Sequence, residues 1–221
     1  MRQKKSITNS LIILSGGMDS VTMLYDYRRA IKEALVFNYG SKHNEKEILF
    51  AKLHAQRLGI PCSVIELDWI NSMFRSALLQ SGDEIPEGHY EDKIMEKTIV
   101  PFRNGIMLSI AVGVAESHEL DCVMIGSHAG DRAIYPDCRR EFLSAFASSA
   151  RLGTIRKVGI SAPYIDMTKR EIALIGRSIE VDYTETWTCY KGEESHCGKC
   201  GSCVERKEAL EGFDETYYQE F

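Results

Sequence analysis

The chain has 221 residues, 44% hydrophobic and 27% charged, the composition of an ordinary globular protein rather than of a disordered or collagen-like one. That length suits one large domain, or one domain with a small appendage. A net charge of −5 and a sequence pI of about 5.7 argue against a broad nucleic-acid-binding face, while leaving room for a local basic pocket.

The N-terminal MRQKKSITNS is basic, but only LIIL follows it, too short for the apolar region of a signal peptide. No apolar run approaches the length of a membrane span, so the expectation is a cytoplasmic protein with no membrane partner. LIIL (11–14) reads as a buried strand, followed by the turn Ser15-Gly16-Gly17 and a helix through about Ala30. ALVFNY (34–39) is a second strand. In 45–59, Ile48, Ala51, Ala55 and Leu58 recur at helical steps; Gly59 ends that helix and Pro61 prevents its resumption. CSVIEL (62–67) is a third strand. Residues 68–97 are less regular, and SGDEIPEGHYED within them reads as a long loop or lid. A helix over 105–120, a fourth strand CVMIGS (122–127), and helices over 141–153 and 168–180 complete the series. Thr168 and Glu171 form a capping box for the last helix.

Strands alternate with helices, and the strands are near-continuously apolar. That pattern predicts an α/β protein with a parallel sheet covered by helices on both faces. Ligands of such open sheets bind at the carboxyl ends of the strands, so Ser15, Tyr39, Asp68 and Gly126 should share one rim.

The turn SGGMDS is the first candidate site. Its glycines allow close backbone approach, and the helix behind it offers free N–H groups and a positive dipole end. Leu14, Ser15, Gly16, Gly17, Met18, Asp19, Ser20 and Val21 therefore form a candidate cradle for a phosphate group. The Walker and dinucleotide glycine patterns are both absent. With no lysine in the turn, Mg²⁺ would have to balance the phosphate charge, and Asp19 could help to hold it. The plainer reading is a helix cap at Ser15 or Asp19.

The second candidate is CYKGEESHCGKCGSC. Cys189, Cys197, Cys200 and Cys203 supply four thiolates, suited to a tetrahedral structural Zn²⁺ with no open position; an iron–sulfur cluster and a redox dithiol remain alternatives. Cys62, Cys122 and Cys138 read as isolated core or turn residues.

SGGMDS resembles the pyrophosphate loop of the N-type ATP pyrophosphatases. That resemblance implies cleavage of ATP between its α and β phosphates and adenylation of a substrate oxygen. With VPFRNGIMLSIA, IGSHAGDRAIYPDCRREF, APYIDMTKREI and the cysteine segment in the same order, nearly the whole chain is similar to the 7-cyano-7-deazaguanine synthase family. The resemblance implies an ATP-dependent ligase that converts 7-carboxy-7-deazaguanine and ammonia to a nitrile through an adenylated carboxylate and an amide. It also implies a structural zinc, a homodimer, and a nucleotide-binding domain over 1–185 with a zinc-binding segment over 186–221 packed on it. The other readings are a related adenylating synthetase acting on a different small acid, on tRNA or on another acceptor.

Asp19, Ser20 and Arg103 are the candidate catalytic residues, and Arg103, Asn104, Asp131, Tyr135, Asp137 and Arg139 the candidate substrate-binding residues. Arg103 could fork onto a carboxylate or phosphate, with a surface ion pair as its plainer role. Asp131 or Asp137 could accept from the N–H edge of a deazapurine; turn formation is the alternative. Tyr135 could stack on the base, and Arg139 could balance the substrate carboxylate or start the next helix. Lys42 and His43 lie on the same rim; a solvated lysine and a locally bonded histidine are the readings preferred for them. The aromatic residues Phe213, Tyr217, Tyr218 and Phe221 are candidates for a dimer contact or for packing on their own chain. Phe102 and Arg140 depart from the form of the family in which glycine precedes the Arg-Asn pair and proline or aspartate follows YPDCR.

Overall fold

The computed structural model describes residues 7–89 and 92–219; Phe221 and part of the predicted lid lie outside them. Five parallel strands form one sheet: β1 (Ser10–Ile13), β2 (Ile31–Asn38), β3 (Cys62–Glu66), β4 (Cys122–Met124) and β5 (Gly159–Ser161). The helices are α1 (Met18–Asp26), α2 (Asn44–Arg57), α3 (Asp68–Met73), α4 (Arg103–Ser117), α5 (Arg140–Gly153), α6 (Lys169–Ser178) and α7 (Gly201–Ala209). No described helix is long and apolar enough to cross a membrane.

Strand order is β3-β2-β1-β4-β5. The chain runs outward from β1 through β2 to β3, then returns to the other side of β1 with β4 and β5. Neighbouring strands β1 and β4 therefore lead away in opposite directions, and a crevice opens beyond their carboxyl ends. Successive residues of β1 serve opposite faces of the sheet. Leu11 belongs to one apolar cluster with Leu108 and Ala111 of α4 and Leu143 of α5; Ile12 belongs to the other, with Val21 of α1, Ala51 of α2 and Ile172 of α6. Cys189, Cys197, Cys200 and Cys203 belong to the same apolar cluster as Leu11, so the cysteine segment is built into the main core.

Several sequence expectations shift. The first helix ends at Asp26, because Tyr27 and Ala30 close a turn (Ala30 N donates to Tyr27 O, 2.8 Å) that lets β2 begin at Ile31. The stretch before α4 contains a 3-10 helix, Lys93–Thr98. Strand β4 stops at Met124, leaving Gly126 and Ser127 as crevice loop. The irregular 68–97 stretch contains α3, and β5 and α7 had no periodicity long enough to identify them.

Candidate active site

The crevice is a cavity of about 210 Å³, with β1 residues Ile13 and Leu14 and the turn after them on one side, and Ile125, Gly126 and Ser127 after β4 on the other. The turn is shaped by Gly16, whose φ is +73°. A Cβ there would come within 2.4 Å of the Glu47 carbonyl oxygen, so the turn packs directly on the first turns of α2. Gly17 takes the N-cap position of α1, with no side chain capping the helix. The cap reading of Ser15 and Asp19 therefore does not hold. Ser15 and Ser20 instead bond each other (Oγ to Oγ, 3.1 Å), and Ser15 N donates to Ser20 Oγ at 3.2 Å. The uncapped first turn of α1 presents its N–H groups and positive dipole end to the cavity.

A lysine does serve this turn, from a distant part of the chain. Lys169, at the start of α6, is 9% exposed and reaches Asp19 Oδ2 at 3.3 Å and Glu205 Oε2 of α7 at 2.6 Å. Burial opposes its charge, but Asp19, Glu205 and Asp131 outweigh burial and push its pKa far above the usual lysine value. The sequence marked Lys169 only as the residue after a helix cap. Its link to the cavity depends on α6 packing against α1, which periodicity does not report.

His128 joins this group. Its Nδ1 accepts from Gly130 N at 3.1 Å, which leaves the proton on Nε2. That nitrogen lies 3.4 Å from Asp131 Oδ1, 3.8 Å from Asp19 Oδ2 and 4.0 Å from Glu205 Oε1. Asp19 Oδ1 is buried and has no hydrogen-bond partner. An orphaned carboxylate oxygen beside free N–H groups fits a Mg²⁺ brought in on nucleotide phosphates.

Arg103 starts α4 at the cavity wall. Phe102 before it adopts φ 54°, the left-handed region that favours glycine. The Arg103 guanidinium lies over the Tyr39 ring, 5.6 Å from its centroid, and donates to Tyr39 OH at 3.3 Å and to Asn104 Oδ1 at 3.3 Å. Burial opposes its charge, yet Tyr39, Asp137 and Cys138 together hold its pKa well above the ordinary arginine value. Asn104 N donates to Asp137 Oδ2 at 2.8 Å, and Asn104 Nδ2 to Cys138 Sγ at 3.1 Å. The YPDCR block thus clamps the start of α4. Burial raises the Cys138 thiol well above its usual pKa, which makes it a protonated packing group rather than a nucleophile.

Leu14, Ser15, Gly17, Met18, Asp19, Ser20, Arg103, Asn104, Asp131 and Tyr135 all line the cavity. Tyr135 is held by its hydroxyl, bonded to Thr98 Oγ1 (2.8 Å) and Tyr190 OH (3.2 Å). Four expected residues lie off the lining. Gly16 faces α2, Val21 is fully buried in the core, Asp137 spends its carboxylate on the Asn104 N–H, and Arg139 Nε donates to Arg132 O at 3.2 Å. Lys42 is not solvated: its ammonium binds the carbonyls of Ala77 (3.0 Å), Gly82 (3.2 Å) and Asp83, pinning the 77–83 loop. His43 is buried in the cavity wall.

The four cysteine sulfurs lie within 4.8 Å of one another and are buried, a donor set that fits a tetrahedral thiolate-bound metal. Cys200 is the N-cap of α7, the helix that carries Glu205 and Arg206. The fully buried Arg206 donates to Thr186 Oγ1 (3.0 Å), Thr188 Oγ1 (2.7 Å) and Thr216 Oγ1 (2.9 Å). The cysteine site thereby fixes the segment from which Trp187, Thr188 and Tyr190 reach the cavity. In the tail, Arg170 and Arg177 stack on Phe213 at 5.1 and 4.8 Å, and Tyr218 contacts His196 at 5.9 Å. Both rings pack on their own chain; Tyr217 is 71% exposed.

The five-stranded parallel sheet, with helices on both faces and its glycine turn at the switch point, is an α/β fold of the adenine nucleotide alpha hydrolase-like type. Among solved structures, NMN synthetase from Francisella tularensis shares this fold, with a TM-score of 0.51 and 14% identity over 86% of this chain and 70% of that one. The family model described as "Queuosine biosynthesis protein QueC" matches residues 9–214, and the chain belongs to that family. A relative from Porphyromonas gingivalis named 7-cyano-7-deazaguanine synthase is 56% identical over 91% of this chain and 92% of its own length. A relative of the same name from Desulfotalea psychrophila is 49% identical over 96% of this chain and 99% of its own.

Proposed function

We propose that this chain converts 7-carboxy-7-deazaguanine and ammonia to 7-cyano-7-deazaguanine with consumption of ATP. The observation that carries this reading is the 56% identity, over nine-tenths of the chain, to a relative of that name. The cavity supports it, because phosphate, carboxylate and planar-base recognition are gathered within one small space.

A carboxylate resists attack by ammonia because oxide is a poor leaving group. Transfer of AMP onto one carboxylate oxygen replaces oxide with a good one. In this cavity the N–H groups at the start of α1, Ser15 and Ser20 receive the triphosphate, and the Lys169 ammonium takes up charge that develops on pyrophosphate as it departs. Mg²⁺ bound with the nucleotide would supply further charge neutralisation, and Asp19 is the residue placed to hold it. Arg103, fixed on Tyr39, presents its fork to the substrate carboxylate. Asp131 is oriented by His128 N (3.1 Å) to accept from the N–H edge of the base, and Tyr135 offers a ring anchored by its hydroxyl. Ammonia then displaces AMP to give an amide, whose oxygen is adenylated in turn and lost as the nitrile forms. The four cysteines hold a structural Zn²⁺ that keeps α7 and the 186–190 segment in place. The protein works in the cytoplasm as a homodimer, for which exposed apolar residues just before α4 (Phe102) and at and just after the end of α5 (Leu152 and Ile155) are available.

The test is mass spectrometry of purified protein with ATP, Mg²⁺, ammonium and 7-carboxy-7-deazaguanine. The nitrile should appear with AMP and pyrophosphate, and Asp19→Ala should abolish turnover. Metal-loaded, ATP-binding protein that leaves the acid untouched would overturn the reading.

A further inference from the structure

Converting an amide to a nitrile removes both N–H protons of the amide nitrogen. The oxygen leaves on AMP, the C–O bonding pair departs with it, and nitrogen forms two further bonds to carbon as its protons go. A cavity that carries out this step needs a proton acceptor near the reacting carbon, shielded from water. We propose that Glu47 is that catalytic base. The proposal rests on the nitrile-forming reading and goes beyond it.

Glu47 lies in the first turn of α2 and lines the cavity, while its own carbonyl oxygen supports Gly16 of the phosphate turn. It therefore stands beside the site of phosphate transfer, with Arg103 acting on it from α4, Tyr39 from the end of β2 and His43 from its own helix. The side chain is 16% exposed, with Oε2 accepting from Asn44 Nδ2 at 3.3 Å and Oε1 3.7 Å from His43 Nε2. His43 Nδ1 faces the Tyr190 carbonyl oxygen at 3.3 Å and so carries the proton. That leaves a lone pair on Nε2, directed at Glu47. A protonated carboxyl suits that neighbour and an ionised one is repelled by it.

The remaining titratable groups of the cavity are committed elsewhere. Asp19 is paired with Lys169, and Asp131 with His128. Burial, reinforced by Arg103, lowers His43 to about 4, which makes it a poor proton acceptor. Burial raises Tyr39 above its usual phenol value, so neither Tyr39 nor Arg103 exchanges protons near neutrality. Burial raises Glu47 to about 8, only partly offset by Arg103. The usual order is inverted in this pocket: the carboxyl is the stronger base and the imidazole the weaker one. A base whose affinity for protons matches the working pH is the efficient one for general catalysis. The first N–H proton leaves with pyrophosphate as the amide oxygen is adenylated; the carboxylate of Glu47 takes the second as the C–O bond to AMP breaks, and returns it to water once the product leaves.

The experiment starts from the amide of 7-carboxy-7-deazaguanine with ATP and Mg²⁺, so that ammonia and its own titration play no part. In the wild type, kcat for nitrile formation should rise with pH and level off above about 8. Glu47→Gln should lower it by roughly 10²-fold or more and remove the pH dependence. In Glu47→Gln the fall in amide conversion should exceed any fall in acid-driven ATP–pyrophosphate exchange by about tenfold or more, since transfer of AMP to a carboxylate needs no base. Glu47→Asp should keep the pH dependence at a reduced rate. The proposal is overturned if Glu47→Gln converts the amide at the wild-type rate with the same pH profile. It is equally overturned if exchange falls in parallel with conversion, which would make Glu47 a positioning residue. Wild-type protein without exchange or nitrile formation would sink the functional reading itself, a result distinct from either.

Discussion

Lys169→Met is the most informative single perturbation. A lysine in the first turn of a helix stands against the helix dipole, so carboxylates must hold it there. The ammonium sits 2.6 Å from Glu205 and 3.3 Å from Asp19 in a site that is 9% exposed. At an effective dielectric constant of about 20, these pairs attract by about 6 and about 5 kcal/mol. Most of that is offset by desolvation of the three groups. Removing the ammonium leaves the desolvation cost and none of the attraction, so the expected loss of stability is about 3–5 kcal/mol. Urea unfolding of the metal-loaded protein at pH 7.5 measures it, and Glu205→Gln in the Lys169→Met background should recover about 1–3 kcal/mol. The folded-state pKa of Lys169 is raised, so its contribution is complete below its unfolded value and fades only as pH rises through the folded one. The charge on Lys169 itself should therefore add no pH dependence to that gap across neutral pH. A loss below about 1 kcal/mol, or strict additivity with Glu205→Gln, would refute the buried-network account.

Other consequences follow from the same geometry. Gly16→Ala should cost about 1–3 kcal/mol and weaken ATP binding in calorimetry, because it combines φ +73° with a Cβ 2.4 Å from the Glu47 carbonyl oxygen. Cys197→Ser should release the bound metal, measured by elemental analysis, and lower both Tm and activity, since Glu205 and Arg206 depend on the helix that Cys200 begins. Glu47 has a raised folded pKa of about 8, so its unfolded form binds fewer protons between about 4.5 and 8 and wild-type stability falls with pH across that window. Glu47→Gln should then gain on the wild type from pH 5 to pH 8.5, by an amount of order 2–4 kcal/mol at about 1.4 kcal/mol per unit; equal stability differences at the two pH values would contradict the buried-acid reading.

Much of this protein is legible locally. LIIL followed by SGG is an apolar strand running into a turn that needs Gly16 in a left-handed conformation, and both are visible in a window of seven residues. The cysteine spacing likewise carries its own geometry, because two-residue knuckles can only close around a small ion. Arg103 and Asn104 were legible through the order of the segments around them. Strand β5 has three residues and helix α7 nine, the latter broken by glycine and charge, so neither offers enough periods to stand out.

The sequence by itself determined the alternation of strands and helices, the phosphate turn and the metal-binding knuckle, because each depends on residues that are close along the chain. Only the tertiary structure decided which charges meet. Asp19, His128, Lys169 and Glu205 come from four separate elements, and their encounter depends on α6 and α7 packing beside α1 at the switch point of the sheet. The same holds for Glu47, an unremarkable acid on a helix until burial against Gly16 and His43 raises its affinity for a proton. Long-range electrostatics follow distance and desolvation, and neither is written in spacing along the chain.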